Sequence, residues 1–170
     1  KQKMKVELKA IKYCKELSRE TLAFVGKLYV NGKHIADAEN DGHGACTNLQ
    51  PVTKWTKEGV PSVDLYIKEA LDEFNYWAKE NSEYGAEQVV DDLVIDELHW
   101  RDFQSLKRKK LLYFKPDEGE HGSIFSAGGN NSKRAQEFIT KVAWWKPEYV
   151  VLNNVKKAEF FSKYLSAWAK

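Results

Sequence analysis

The chain has 170 residues, with 27 Lys and Arg against 25 Asp and Glu, six Trp and two Cys. That length can bury a core without disulfides or metal. Two cysteines, Cys14 and Cys46, allow one disulfide at most and, with no CxxC, exclude a disulfide framework and zinc-finger spacing. No run approaches 18 consecutive apolar residues, and no signal-type apolar segment stands near the start. No membrane partner is therefore expected, and the compartment reads as reducing and cytoplasmic.

The net charge of +2 hides an asymmetry: +3 over residues 1–50, −8 over 51–100 and +7 over 101–170. Solvated helix faces that neutralise one another would give this pattern. So would two faces of opposite potential, one of which steers a charged partner.

In chain order, Met4 to Ala10 alternates apolar and charged residues, as a half-buried strand does, and the register blurs from Ile11 to Cys14. Phe24, Gly26, Leu28 and Val30 alternate with Val25, Lys27 and Tyr29. Asn31-Gly32 supplies a type I′ turn, and His34, Ala36 and Ala38 alternate with Ile35, Asp37 and Glu39 on the return. The hairpin leaves through Asn40-Asp41-Gly42-His43-Gly44. A three-stranded antiparallel meander is expected, with Lys5, Lys9 and Lys27 on its wet face. From Ala45 to Pro61 a loop carries Trp55, with room for one short strand.

Ser62 is placed to cap an amphipathic helix with Val63, Tyr66, Ile67, Ala70, Leu71, Phe74, Trp77 and Ala78 inward. Its outer face carries Asp64, Lys68, Glu69, Asp72, Glu73, Lys79 and Glu80. A second helix starts near Ala86, and a third, short one is read from Asp102. Leu111 to Lys115 and Ser123 to Ser126 form a second hairpin, followed by a flexible loop over Ala127 to Asn131. Ser132 caps a helix that Pro147 stops. Tyr149 to Leu152 has strand composition, and Asn153-Asn154 would cap the last helix. The expected fold is α+β in a single domain: β-meander over 1–50, an acidic-to-basic helical region over 61–110, then hairpin and helices over 111–170.

Met4 to Lys12, the Leu28-Tyr29-Val30-Asn31-Gly32-Lys33 turn and the Asn40 to Gly44 exit resemble a family of small uncharacterised proteins found in bacteriophage and plasmid genomes. The likeness continues more weakly through Val90-Asp91-Asp92-Leu93, Arg101 to Lys110 and Val150-Val151-Leu152-Asn153. Members commonly have a second glycine where Ala45 stands here. The resemblance brings no catalytic residues. It implies a setting, a mobile genetic element in the host cytoplasm, where small accessory proteins bind host or defence components.

Four groups could carry chemistry. Asp41, His43 and Cys46 share a glycine-rich loop, at most three metal ligands or a thiol with a base. The plainer reading is a turn whose side chains satisfy backbone groups. Asp91, Asp92, Asp96 and Glu97 could hold Mg²⁺, act as acid and base, or face a partner, and otherwise form a solvated acidic face. Lys107, Arg108, Lys109 and Lys110, with Lys115, Lys133 and Arg134 downstream, could neutralise phosphates while Trp100, Tyr113 or Phe114 stack on bases. Otherwise they complement a helix end. Trp144-Trp145 and Phe160-Phe161 either mark an interface or pack inside; neighbouring Trp residues on a helix diverge by about 100°. His34, His99 and His121 stand alone. There is no P-loop, GxGxxG, HExxH or GxSxG.

These features lean away from an enzyme and from any cofactor. The leading expectation is a binding protein of a phage or mobile element that docks on a host protein or nucleoprotein and inhibits a defence system. Nucleic-acid binding through residues 107–110 is the first alternative. A hydrolase or nuclease built on the 41–46 loop is the second. The oligomeric state is not legible.

Overall fold

A computed structural model describes residues 4–129 and 132–169. The fold is α+β. The chain groups into two compact units, residues 1–95 and 96–170. The loop positions Asn130 and Asn131 lie outside the described residues.

The first unit is built on β1 (Val6–Tyr13), β2 (Phe24–Val30), β3 (Lys33–Asn40) and β4 (Asn48–Pro51), antiparallel in the order β1-β2-β3-β4. The sheet therefore has four strands where the alternation suggested three. Its fourth is only four residues long, too short to show a period. Asn31 and Gly32 take φ of 49° and 83°, the positive values a type I′ turn needs. Lys9 and Lys27 pair directly across β1 and β2. The register breaks between Lys9 and Lys12, where Ala10 takes φ 52°.

One side chain departs from the expected alternation. Tyr29 pairs with His34 and Leu28 with Ala36, so Ile35 is the extra residue of a bulge. Ile35 and Ala36 are both fully buried, although simple alternation would put them on opposite faces.

Lys54–Trp55 (β5) and Pro61–Ser62 (β6) form a small second pair. This ladder holds Ser62 extended, so the helix starts later than expected: α1 is Leu65–Asn81 with Asp64 at the cap position. The Asp64 carboxylate takes no backbone N–H and instead meets Lys54 Nζ at 2.7 Å. Ala70, Phe74 and Ala78 form the buried line of α1, which lies against β3 and β4. After Gly85 (φ 73°), α2 runs unbroken over Ala86–Lys109. Asp102 thus lies inside this 24-residue helix and begins no third one.

The second unit has a three-stranded sheet, β7 (Leu111–Lys115) between β8 (Ser123–Ala127) and β9 (Val150–Val151). Alternation on β7 sends Leu112 and Phe114 to one face and Leu111, Tyr113 and Lys115 to the other. On the first face Leu112 joins Phe103, Leu152, Val155, Phe160 and Tyr164. On the second, Tyr113 packs with Ile139, Phe125, Trp145 and Val151.

Ser132 accepts a hydrogen bond from Ala135 N and caps α3, as its position suggests. α3 (Lys133–Ile139) nevertheless ends well before Pro147. Thr140 Oγ1 donates to the carbonyls of Gln136 and Glu137, and the chain proceeds by three-residue turns to Trp145. Off the helix, Trp144 and Trp145 both reach Tyr113, each with ring centres 5.7 Å away.

The final helical stretch is α4 (Lys157–Glu159), a π-turn over Phe160–Tyr164 and α5 (Leu165–Trp168). Asn153 does not cap it; Lys156 holds that position. Asn153 is buried, accepts from Leu112 N at 2.8 Å, and donates to the carbonyls of Lys107 and Lys110 at 3.0 and 2.9 Å. It closes the C-terminus of α2, where helix carbonyls otherwise lack partners.

Candidate functional site

The Asn40–Gly44 exit is wired by one buried amide. Asn40 Oδ1 accepts from Thr21 Oγ1 and Gly42 N, both at 2.8 Å. Its Nδ2 donates to Ala45 O at 2.9 Å and Thr47 Oγ1 at 3.2 Å. Thr47 in turn donates to Asp91 Oδ1 at 2.6 Å, which ties the loop to α2.

Within this loop Asp41 accepts from His43 N at 3.0 Å, and its carboxylate lies 3.7 Å from His43 Nδ1. Cys46 faces elsewhere. Its hydrogen bond to Glu87 pushes the thiol pKa up, helped by the charges of Glu87 and Asp91. A carboxylate beside a thiol opposes the thiolate a nucleophile needs. The structure thus joins Asp41 to His43 and sends Cys46 to a different neighbour. Cys14, from the end of β1, lines a surface cavity of about 390 Å³ with both Asp41 and His43, and its own Sγ donates to Glu16 at 3.5 Å. No sequence spacing suggested Cys14, because the loop closes on a residue 27 positions before Asp41.

The acidic quartet divides as well. Asp91 is half-buried, and burial raises its carboxyl pKa against the opposing bond from Thr47. Glu97 pairs with Arg101 Nε at 3.1 Å and with Lys157. Asp96 is half-buried, and Asp92 alone of the four is exposed. Among the described residues no three His, Cys, Asp or Glu side chains are grouped to hold a metal ion.

The acidic surface lies on α1 instead. Glu69, Asp72, Glu73, Tyr76 and Glu80 recur at helical spacing on the side opposite Phe74. Leu65 (71% exposed) and Tyr76 (70%) stand in the same row. Among the described residues no cation lies within 4 Å of Glu69, Asp72, Glu73, Glu80, Glu83 or Asp92. The outer-face residues were legible from periodicity; their lack of internal partners was not.

In the basic run, Lys107 sits over the rings of Trp100 and Phe103 at 5.6 and 5.7 Å, and burial, then Arg108, lowers its pKa. Arg108, Lys109 and Lys110 are exposed. The proposed stacking partners are engaged inside: Trp100 with Phe103, Phe160 and Phe161, Phe114 with Tyr164, and Tyr113 in the second core. Phe160 and Phe161 pack inside with them. His34 stacks on Tyr29 and meets Asp37 Oδ1 at 2.9 Å. His99 is half-buried and His121 exposed. Among the described residues no helix is long and apolar enough to cross a membrane.

No protein-family model, curated protein or solved structure matches this chain.

Proposed function

We propose that this chain is a non-enzymatic binding protein of a phage or mobile element. The outer face of α1 docks on a basic surface of a host protein or nucleoprotein, of the kind that holds nucleic acid, and blocks a defence component. One observation carries the reading: a row of carboxylates on α1, dotted with exposed Leu65 and Tyr76, has no cation within 4 Å among the described residues. Unpaired charges on a rigid helix steer an oppositely charged partner, and an exposed tyrosine among them supplies contact area at low entropy cost. The test is affinity capture from host lysate, with the protein and a Glu69→Lys, Asp72→Lys, Glu73→Lys, Glu80→Lys variant side by side. A partner retained by the first and lost by the second supports the reading; equal retention removes it.

A second reading rests on Arg108, Lys109 and Lys110, which are exposed at the end of α2 in a unit of net charge +5. They would bind phosphates without base stacking. A gel shift that weakens steeply with salt, and is lost in the triple alanine variant, would favour it.

A further inference from the structure

On the Leu111–Tyr113–Lys115 face of the second unit, the Lys115 side chain is enclosed by aromatic rings. Its Nζ lies 4.5 Å from the ring centre of Phe125, 5.4 Å from Tyr149, 5.9 Å from Trp144 and 6.0 Å from Tyr113. Register explains part of this. Tyr113 and Phe125 are directly paired on β7 and β8, and Lys115 follows Tyr113 on the same face. The turns after α3 bring in Trp144, and Tyr149 precedes β9. Two of the ring contacts also hold the frame together: Tyr113 with Phe125 at 5.8 Å and Tyr113 with Trp144 at 5.7 Å.

The chemistry of the enclosure does not match an ammonium well. Ring faces attract positive charge, and the attraction grows as the cation is desolvated. But an ammonium carries three N–H donors that also need acceptors. The Lys115 side chain is only 18% exposed, and Glu118 Oε1, at 3.5 Å, is the carboxylate within 4 Å among the described residues. A cation without N–H donors would keep the ring attraction and lose nothing in hydrogen bonding. Trp144, half exposed, leaves one wall open to solvent. Lys115 hangs on four flexible methylenes, so it can leave without any change in the sheet.

We infer that Tyr113, Phe125, Trp144 and Tyr149 form a binding site for a trimethylammonium group, which Lys115 fills as an internal plug until such a ligand displaces it. The inference goes beyond the docking reading and shares no residue with the α1 face, so either can fail alone. Two sources carry this group, a free choline-type molecule and a trimethylated lysine in a peptide, and the assay separates them.

Tetramethylammonium, choline and a trimethyl-lysine peptide are titrated into the protein and into Lys115→Ala, with tryptophan fluorescence as readout and ammonium as the control cation. The expected result is binding of tetramethylammonium at least tenfold tighter in Lys115→Ala than in the parent chain. Ammonium should bind neither, and Trp144→Ala in the Lys115→Ala background should weaken the gain several-fold. Tighter binding of choline, or of the peptide, then identifies the source. Should Lys115→Ala fail to fold, the parent chain decides: ring currents displace the Lys115 methylene proton resonances upfield, and tetramethylammonium should return them to free-lysine positions. Equal affinity in a folded Lys115→Ala, or lysine resonances that stay displaced at saturating tetramethylammonium, overturns the inference.

Discussion

Residues 1–95 hold thirteen Lys and Arg against sixteen Asp and Glu, a net of −3; residues 96–170 hold fourteen against nine, a net of +5. The difference in sign matters less than what the acids touch. In the second unit Glu97 meets Arg101 and Lys157, Asp117 meets Lys146, Glu118 meets Lys115, and Glu159 meets Lys163. In the first unit the row on α1 has no such partners among the described residues. Exposed pairs add little stability, so a row left unpaired costs the fold little and stays free to meet another molecule.

The interiors differ too. The first unit joins a buried sheet face and the Ala70–Phe74–Ala78 line of α1 to a polar network centred on Asn40. The second is centred on rings: Phe103 lies 4.6 Å from Phe160, 5.6 Å from Trp100 and 5.4 Å from Trp168. A ring so placed has many partners and little room to be replaced. Phe103→Ala should therefore give the largest loss of stability, about 3–5 kcal/mol in denaturant unfolding. A cost near that of a surface substitution would break the contrast.

The two buried amides sharpen it. Asn153→Ala leaves a strand N–H and two helix carbonyls without their partner, so a loss of about 3 kcal/mol is expected. Asn40→Ala removes four hydrogen bonds but opens a loop that water can enter, so its loss should be smaller, about 2 kcal/mol. Thermal melts of both variants check the order. Gly42 and Gly32 give a narrower comparison, both at φ +83°. A Cβ at Gly42 would lie 2.3 Å from Leu17 O, whereas one at Gly32 meets nothing within 4 Å. Gly42→Ala should cost about 2–3 kcal/mol and Gly32→Ala about 1 kcal/mol.

The smallest effect concerns pH. Burial raises the carboxyl pKa of Asp91 in the fold, so the folded state holds this proton more tightly than the unfolded chain. Its contribution is present below the ordinary carboxylate value and lost as pH rises through the folded value. Asp91→Asn can still accept from Thr47. It should flatten the stability profile in that window and melt at or slightly above the parent at neutral pH.

Much of the fold was legible because local chemistry dictates it. Asn31-Gly32 between alternating runs specifies a hairpin, and Ser132 ahead of an apolar period specifies a cap. The failures arose where distant residues decide. Ile35 and Ala36 are buried together because of a bulge in the β2–β3 pairing, and Ser62 is extended because β5 lies beside it. Asn153 looked like a cap for the helix after it, but it closes a helix more than 40 residues before it. The site was less legible still. Thr47 reaches Asp91 and Lys157 reaches Glu97, pairings 44 and 60 residues apart, and these choices determine which carboxylates remain free. The aromatic enclosure of Lys115 draws on two strands and on turns that replaced an expected helix.

The docking claim is tested most directly by side-by-side affinity capture with the parent chain and the Glu69→Lys, Asp72→Lys, Glu73→Lys, Glu80→Lys variant, after circular dichroism shows both folded alike. A basic partner should be retained by the parent, released by raised salt and absent from the variant. A partner held equally by both, or one indifferent to salt, would contradict the claim.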